Sequence, residues 1–294
     1  MRSTVTWDAA AAAHLLSRTS FGGTPAHADR LAARALPDVV AALIDEAKAA
    51  PAPAKPAWVR EPWVNTERVY PETTPAERME NHRKAGERQA RERNEFRGWW
   101  LDHLIRTPAP LREVMTLFWH GHFTTEARRM FVSQPLYTQN AALRKHALGS
   151  FRELLGAVTL DAAMLMYLNM EDSDAKKPNE NFARELLELF TVGIGNYTER
   201  DIKEVARALT GWTLDAPLGT VTRPTVADAP RAFCRDGLHP TFVKEKHDAG
   251  EKTVLGKTGR FGVNEVLDIV AAHPATARFV SAKLIAYFGA SDPK

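Results

Sequence analysis

The sequence predicts a mainly α-helical, bundle-like fold with a small irregular or β-hairpin insertion near residues 213–262. Three observations carry this. Apolar residues recur at helical spacing through most of the chain. Helix-start signals such as Thr24-Pro25, Asn179 and Thr198 stand immediately ahead of these periodic runs. Between 213 and 262 the helical period is lost, and Gly, Pro, Thr and Val take over.

Taken in order, residues 8–18 read as an amphipathic helix stopped by Gly22 and Gly23. Thr24 caps the next helix, with Pro25 at its first position, where a missing N–H does no harm. Pro37 opens a third helix running to about Lys48. Six prolines then fall between residues 49 and 75, too many for a regular element, so this stretch is a linker or arm. It divides an N-terminal helical region, 1–48, from a main helical domain, 76–294. A long helix is expected from Pro75 to Ile105, ended by Pro108 and Pro110, followed by a helix through LREVMTLFWH. Residues 137–167 read as two helices broken near Gly149. Asn179 begins a helix reaching Phe190, and Thr198 one that Gly211 ends. A hairpin is expected at AFCRD…TFVKEK, and PATARFVSAKLIAYF forms the last helix.

The totals restrict function. With 44% hydrophobic and 26% charged residues the chain is globular rather than disordered. A net charge of +3 is too small for a dedicated nucleic-acid binder, which would carry a concentrated basic stripe. The densest basic run, Arg83 to Arg97, is interleaved with Glu87, Glu92 and Glu95 at ion-pairing i,i+4 spacing and reads as a solvated helix face. The single cysteine, Cys234, excludes an intrachain disulfide and multi-thiolate zinc sites. No stretch is long and apolar enough to span a membrane, and the N-terminus lacks the apolar core of a secretory signal, so the expected location is cytoplasmic.

Four segments carry polar chemistry. In MTLFWHGHFTT, His120 and His122 are two residues apart. On a continuous helix they point about 200° apart; across a break at Gly121 they would share a face and begin a divalent-metal site. In PNENFARELLELF, Glu180, Glu185 and Glu188 lie on the polar side of an amphipathic helix. Lining a cleft, Glu180 would join the metal ligands, while Glu185 and Glu188 would serve acid–base chemistry. GIGNYT supplies helix-ending glycines but lacks the lysine of a phosphate loop. In FVKEKHDAGEKTVLG, His247 and Asp248 sit on a loop or hairpin and are candidate catalytic groups, although Asp248-x-Gly250 also suits a plain turn.

LLSRTSFGGT, MTLFWHGHFTT, NAALRKHALGSFRELLGAV, AMLMYL, PNENFARELLELFTVGIGNYTERDIKEVARALTGW and HDAGEKTVLG, spread over residues 14–256, together resemble the bacterial domain-of-unknown-function 1800 family. The resemblance implies a predominantly helical fold and no established activity. It also implies further helices beyond ARFVSAKL, whereas this chain ends at Lys294. Two functions remain open. One is a metal-assisted hydrolase acting on a polar or anionic substrate, with a divalent metal on His120, His122 and Glu180. The other is a non-catalytic helical scaffold or binding module, in which Asn179, Arg184, Arg144 and Asp201 knit helices together.

Overall fold

A computed structural model describes residues 6–60, 74–127, 133–214 and 238–289. Among these residues the protein has twelve α-helices and two two-stranded antiparallel sheets, so it is mainly α with a small β insertion.

The helix starts follow their capping chemistry. Asp8 caps α1 (Ala9–Thr19) by accepting from the Ala11 amide, and Thr24 caps α2 (Pro25–Ala32). With α3 (Leu36–Ala49) they bury a small apolar cluster of Ala12, Leu16, Ala28, Leu31 and Val39. The proline-rich stretch is described only to residue 60, ending in a 3-10 turn at Ala57–Arg60. Thr74 and Glu77 form a reciprocal capping box at the start of α4 (Pro75–Arg106). At 32 residues this helix is about 48 Å long. It carries the expected pairs Arg88–Glu92 at 2.6 Å and Arg91–Glu95 at 3.8 Å, but Glu92 is buried, not solvated.

Helix α5 (Pro110–His122) runs through Gly121 without a break. The region read as two helices holds three, α6 (Gln134–His146), α7 (Phe151–Thr159) and α8 (Ala162–Tyr167). The extra boundary falls at Asp161, whose carboxylate caps α8 through the Met164 amide.

Asn179 caps α9 (Glu180–Glu185), which passes into a π-helical turn at Leu186–Phe190. This end would leave carbonyls unpaired, and tertiary structure satisfies them. Thr191 Oγ1 donates to the Leu186 carbonyl at 2.5 Å, and Gly193 N–H to that of Leu187 at 2.9 Å. Lys283 Nζ donates to Leu189 O at 3.2 Å, and His122 Nε2 to Phe190 O at 3.0 Å. Gly193, at φ +78°, ends the turn against the Phe279 ring, where an added Cβ would lie 3.0 Å from Cδ2. Thr198 and Asp201 form a second capping box on α10 (Glu199–Ala208).

Strand β1 (Trp212–Leu214) pairs with β2 (Pro240–Phe242). The expected AFCRD arm and Cys234 lie outside the described residues, so the observed partner of Thr241 and Phe242 is β1. A second hairpin, β3 (Lys252–Val254) with β4 (Lys257–Gly259), and helix α11 (Val263–Ala271) were not foreseen. The last helix, α12 (Pro274–Phe288), matches its expected span. The main core collects Phe123, Leu154, Leu155, Met164, Phe182, Leu186 and Ile202 among others, so α5 to α12 share one apolar interior.

Candidate functional site

The unbroken α5 decides the histidine geometry. His120 and His122 leave opposite sides of the helix. His122 is buried between the end of the π turn and α12. A carbonyl can only accept and an ammonium can only donate, so Nε2 carries the proton to Phe190 O, and Nδ1 accepts from Lys283 Nζ at 3.2 Å. Burial, reinforced by the Lys283 charge, lowers the His122 pKa to about 4. Both ring nitrogens are therefore engaged, and neither is free to coordinate an ion. Lys283 itself lies 4.3 Å from the Phe279 ring centroid, and burial lowers its pKa.

The carboxylates go elsewhere. Glu180 pairs with Arg184 at 3.7 Å, and Arg184 reaches across to Glu199 on α10 with bonds of 2.8 and 2.9 Å. Glu188 accepts from Tyr197 Oη at 2.8 Å. Its neighbour Glu185 is half-buried, and burial followed by the Glu188 charge raises its pKa. Glu188 lines an open cleft of about 580 Å³ with Gly193, Asn196, Arg278, Phe279 and Lys283. On the far side of α10, Asp248 receives Arg207 Nε at 2.7 Å, Arg207 Nη2 at 3.3 Å and the Gly250 amide at 2.9 Å. His247 Nδ1–H donates to Thr210 O at 2.9 Å. Buried Lys252 donates to the Asp248 and Gly250 carbonyls. The structure thus brings Glu185 beside Glu188 and His247 beside Asp248, while His120, His122 and Glu180 face three different neighbourhoods. Among the described residues no group of three His, Cys, Asp or Glu is placed to hold a metal ion.

Between α4, α5 and α6 lies a buried charge cluster. Glu113, fully buried, takes two bonds from Arg144, Nε–Oε1 at 2.7 Å and Nη2–Oε2 at 2.9 Å, and a third from Trp100 Nε1 at 3.3 Å. Burial pushes the Glu113 pKa up, but the Arg144 bonds and the neighbouring charges outweigh it and hold it below the ordinary carboxylate value. Arg144 stacks 5.6 Å from the Trp99 ring centroid. Arg112 ties α5 to the end of α3 through the Ala50 and Pro51 carbonyls.

One helical turn before Arg144, Asn140 is 3% exposed, and among the described residues neither Oδ1 nor Nδ2 has a hydrogen-bond partner. It lines a pocket of about 200 Å³ with His120, Gln139, Arg93, Arg97 and Trp100 among its walls. Gln139 is satisfied by Thr125 at 2.7 Å and Asp161 at 2.8 Å. His120 stands edge-on to Trp100 at 5.1 Å, and burial lowers its pKa, so its ring is neutral. Of these residues the sequence marks His120 as a candidate ligand and Arg93 and Arg97 only as part of a solvated basic face. The signal for the others existed: Arg93, Phe96, Arg97 and Trp100 are spaced i, i+3, i+4, i+7 and form one face of α4. Nothing local marks Asn140.

Fold and site define a mainly helical protein whose motif side chains tie helix to helix, with a small pocket between α4, α5 and α6. The chain belongs to the family described as "Protein of unknown function (DUF1800)", whose model matches residues 14–294. No curated protein and no solved structure gives a match.

Proposed function

We propose that this protein is a non-catalytic helical binding module. The observation that carries the reading is the engagement of the motif side chains in bonds between elements. Arg144 holds Glu113 across α5 and α6. Arg184 holds Glu199 across α9 and α10, and Asp201 accepts the Leu255 amide at 2.7 Å. Asn179 Nδ2 donates to Asn169 O at 2.8 Å. Each of these four groups has a structural partner on another element, which favours a unique helix arrangement. The hydrolase alternative keeps one supporting feature, the Glu185–Glu188 pair with its raised Glu185 pKa. Against its metal site stand the hydrogen bonds on both His122 ring nitrogens and the Glu180–Arg184 pair.

Elemental analysis of protein purified without chelator tests this, together with melting curves in added Zn²⁺ or Mn²⁺. The module reading expects substoichiometric metal and an unchanged melting temperature. Stoichiometric metal that stabilises the fold and is lost in His120→Ala and His122→Ala would overturn it.

A further inference from the structure

We propose that the pocket between α4, α5 and α6 binds a small planar heterocyclic carboxylate through Asn140, His120, Arg93 and Arg97. The inference rests on the binding-module reading and gives that module its ligand class. An amide whose two polar atoms are both buried and unpaired is costly to retain, and a ligand with a complementary edge removes the cost. Asn140 offers one acceptor and one donor side by side, the pattern that pairs with an N–H and C=O edge of a ring. His120 adds a neutral imidazole with no hydrogen bond among the described residues.

Charge fixes the sign of the ligand. Arg93 and Arg97 stand one turn apart on the α4 face that lines the pocket, and among the described residues neither makes an ion pair. No carboxylate lines the pocket. A guanidinium fork suits a carboxylate or a phosphate equally well. The walls decide between them: Phe96 and Trp100, near-parallel at 27° with centroids 6.1 Å apart, together with Leu136 and Ala127, favour an organic ring over a bare oxyanion. The volume of about 200 Å³ holds roughly six or seven waters at liquid density, the size of one substituted ring.

Uracil-6-carboxylate has both the carboxylate and the amide-like edge, and titration of it into the full chain by calorimetry tests the proposal. Saturable binding is expected. Uracil, which lacks the carboxylate, and benzoate, which lacks the edge, should each bind about tenfold more weakly or worse, the worth of one lost hydrogen bond or charge contact. Inorganic phosphate should not compete. Asn140→Leu and, at the exposed rim, Arg97→Ala should each weaken binding by about tenfold or more without lowering the melting temperature. Absence of saturable binding to the wild type, equal binding to Arg97→Ala, or displacement by phosphate at matched concentration overturns the proposal. The two readings fail separately. Metal-free protein that ignores the probe removes the pocket alone, and metal-loaded protein that binds it removes the module reading alone.

Discussion

Asn140 and Arg144 sit one turn apart on the same face of α6, equally buried, and their surroundings are opposite. Arg144 meets an aromatic face and a carboxylate that matches its fork, and that carboxylate, on Glu113, also accepts from Trp100. Asn140 makes no hydrogen bond among the described residues. A saturated buried group belongs to the fold, because removing its partner strands a charge. An unsaturated one costs stability to retain. Neighbouring residues of similar burial thus differ in their hydrogen-bond accounting, and the proposed pocket rests on that difference.

Substitution breaks or sharpens this contrast. Arg144→Met strands Glu113 and should destabilise by about 3–5 kcal/mol in urea denaturation. The double change Glu113→Leu with Arg144→Met should recover most of that loss, because no lone charge remains. If the single change costs no more than its Asn140 counterpart, the contrast collapses.

The second largest effect is expected from pH. His122 has a folded pKa of about 4 against an ordinary 6.5, so folding favours its neutral form. Its stabilisation is present above pH 6.5 and is lost as pH falls towards 4, by about 3 kcal/mol in all. Asp161, raised to about 7 by burial, acts in the opposite sense: its contribution is present below the ordinary carboxylate pKa and is lost as pH rises through 7. Denaturant midpoints of wild type and His122→Gln compared across this range isolate the histidine, and parallel profiles would refute its assignment as a buried neutral group.

Asn140→Leu should move stability the other way, a gain of about 1 kcal/mol, since it removes an orphan amide and adds apolar contact. Thr198→Ala removes a satisfied but solvent-facing cap and should cost about 1 kcal/mol, measured by thermal or urea melts. At the bottom of the scale, Arg83→Ala on α4 breaks exposed pairs with Glu80 and Glu87 and should leave the melting temperature unchanged.

Much of the fold was legible because its signals are local. Thr24, Thr74 and Thr198 cap where side-chain chemistry places them, and α12 spans its predicted residues. The boundary at Asp161 was hidden inside a continuous apolar run, and α11 was passed over beside the irregular insertion. The candidate site was less legible. His120 was found, but as half of a metal pair that depended on a break at Gly121. The break does not occur, because the Gly121 position accepts helical geometry and the neighbouring Phe118, Trp119, His122 and Phe123 all gain burial by continuing the turn.

By itself, the sequence determined the helical class, the caps, the i,i+4 charge pairs of α4 and the family, since each is written in residues near one another along the chain. Only the tertiary structure decided that His122 would be occupied by Lys283, that Arg144 would find Glu113, and that Asn140 would find no one. Hydrogen bonds form between atoms about 3 Å apart, and nothing in the local pattern of α5, α6 or α12 specifies which distant side chain arrives at that distance.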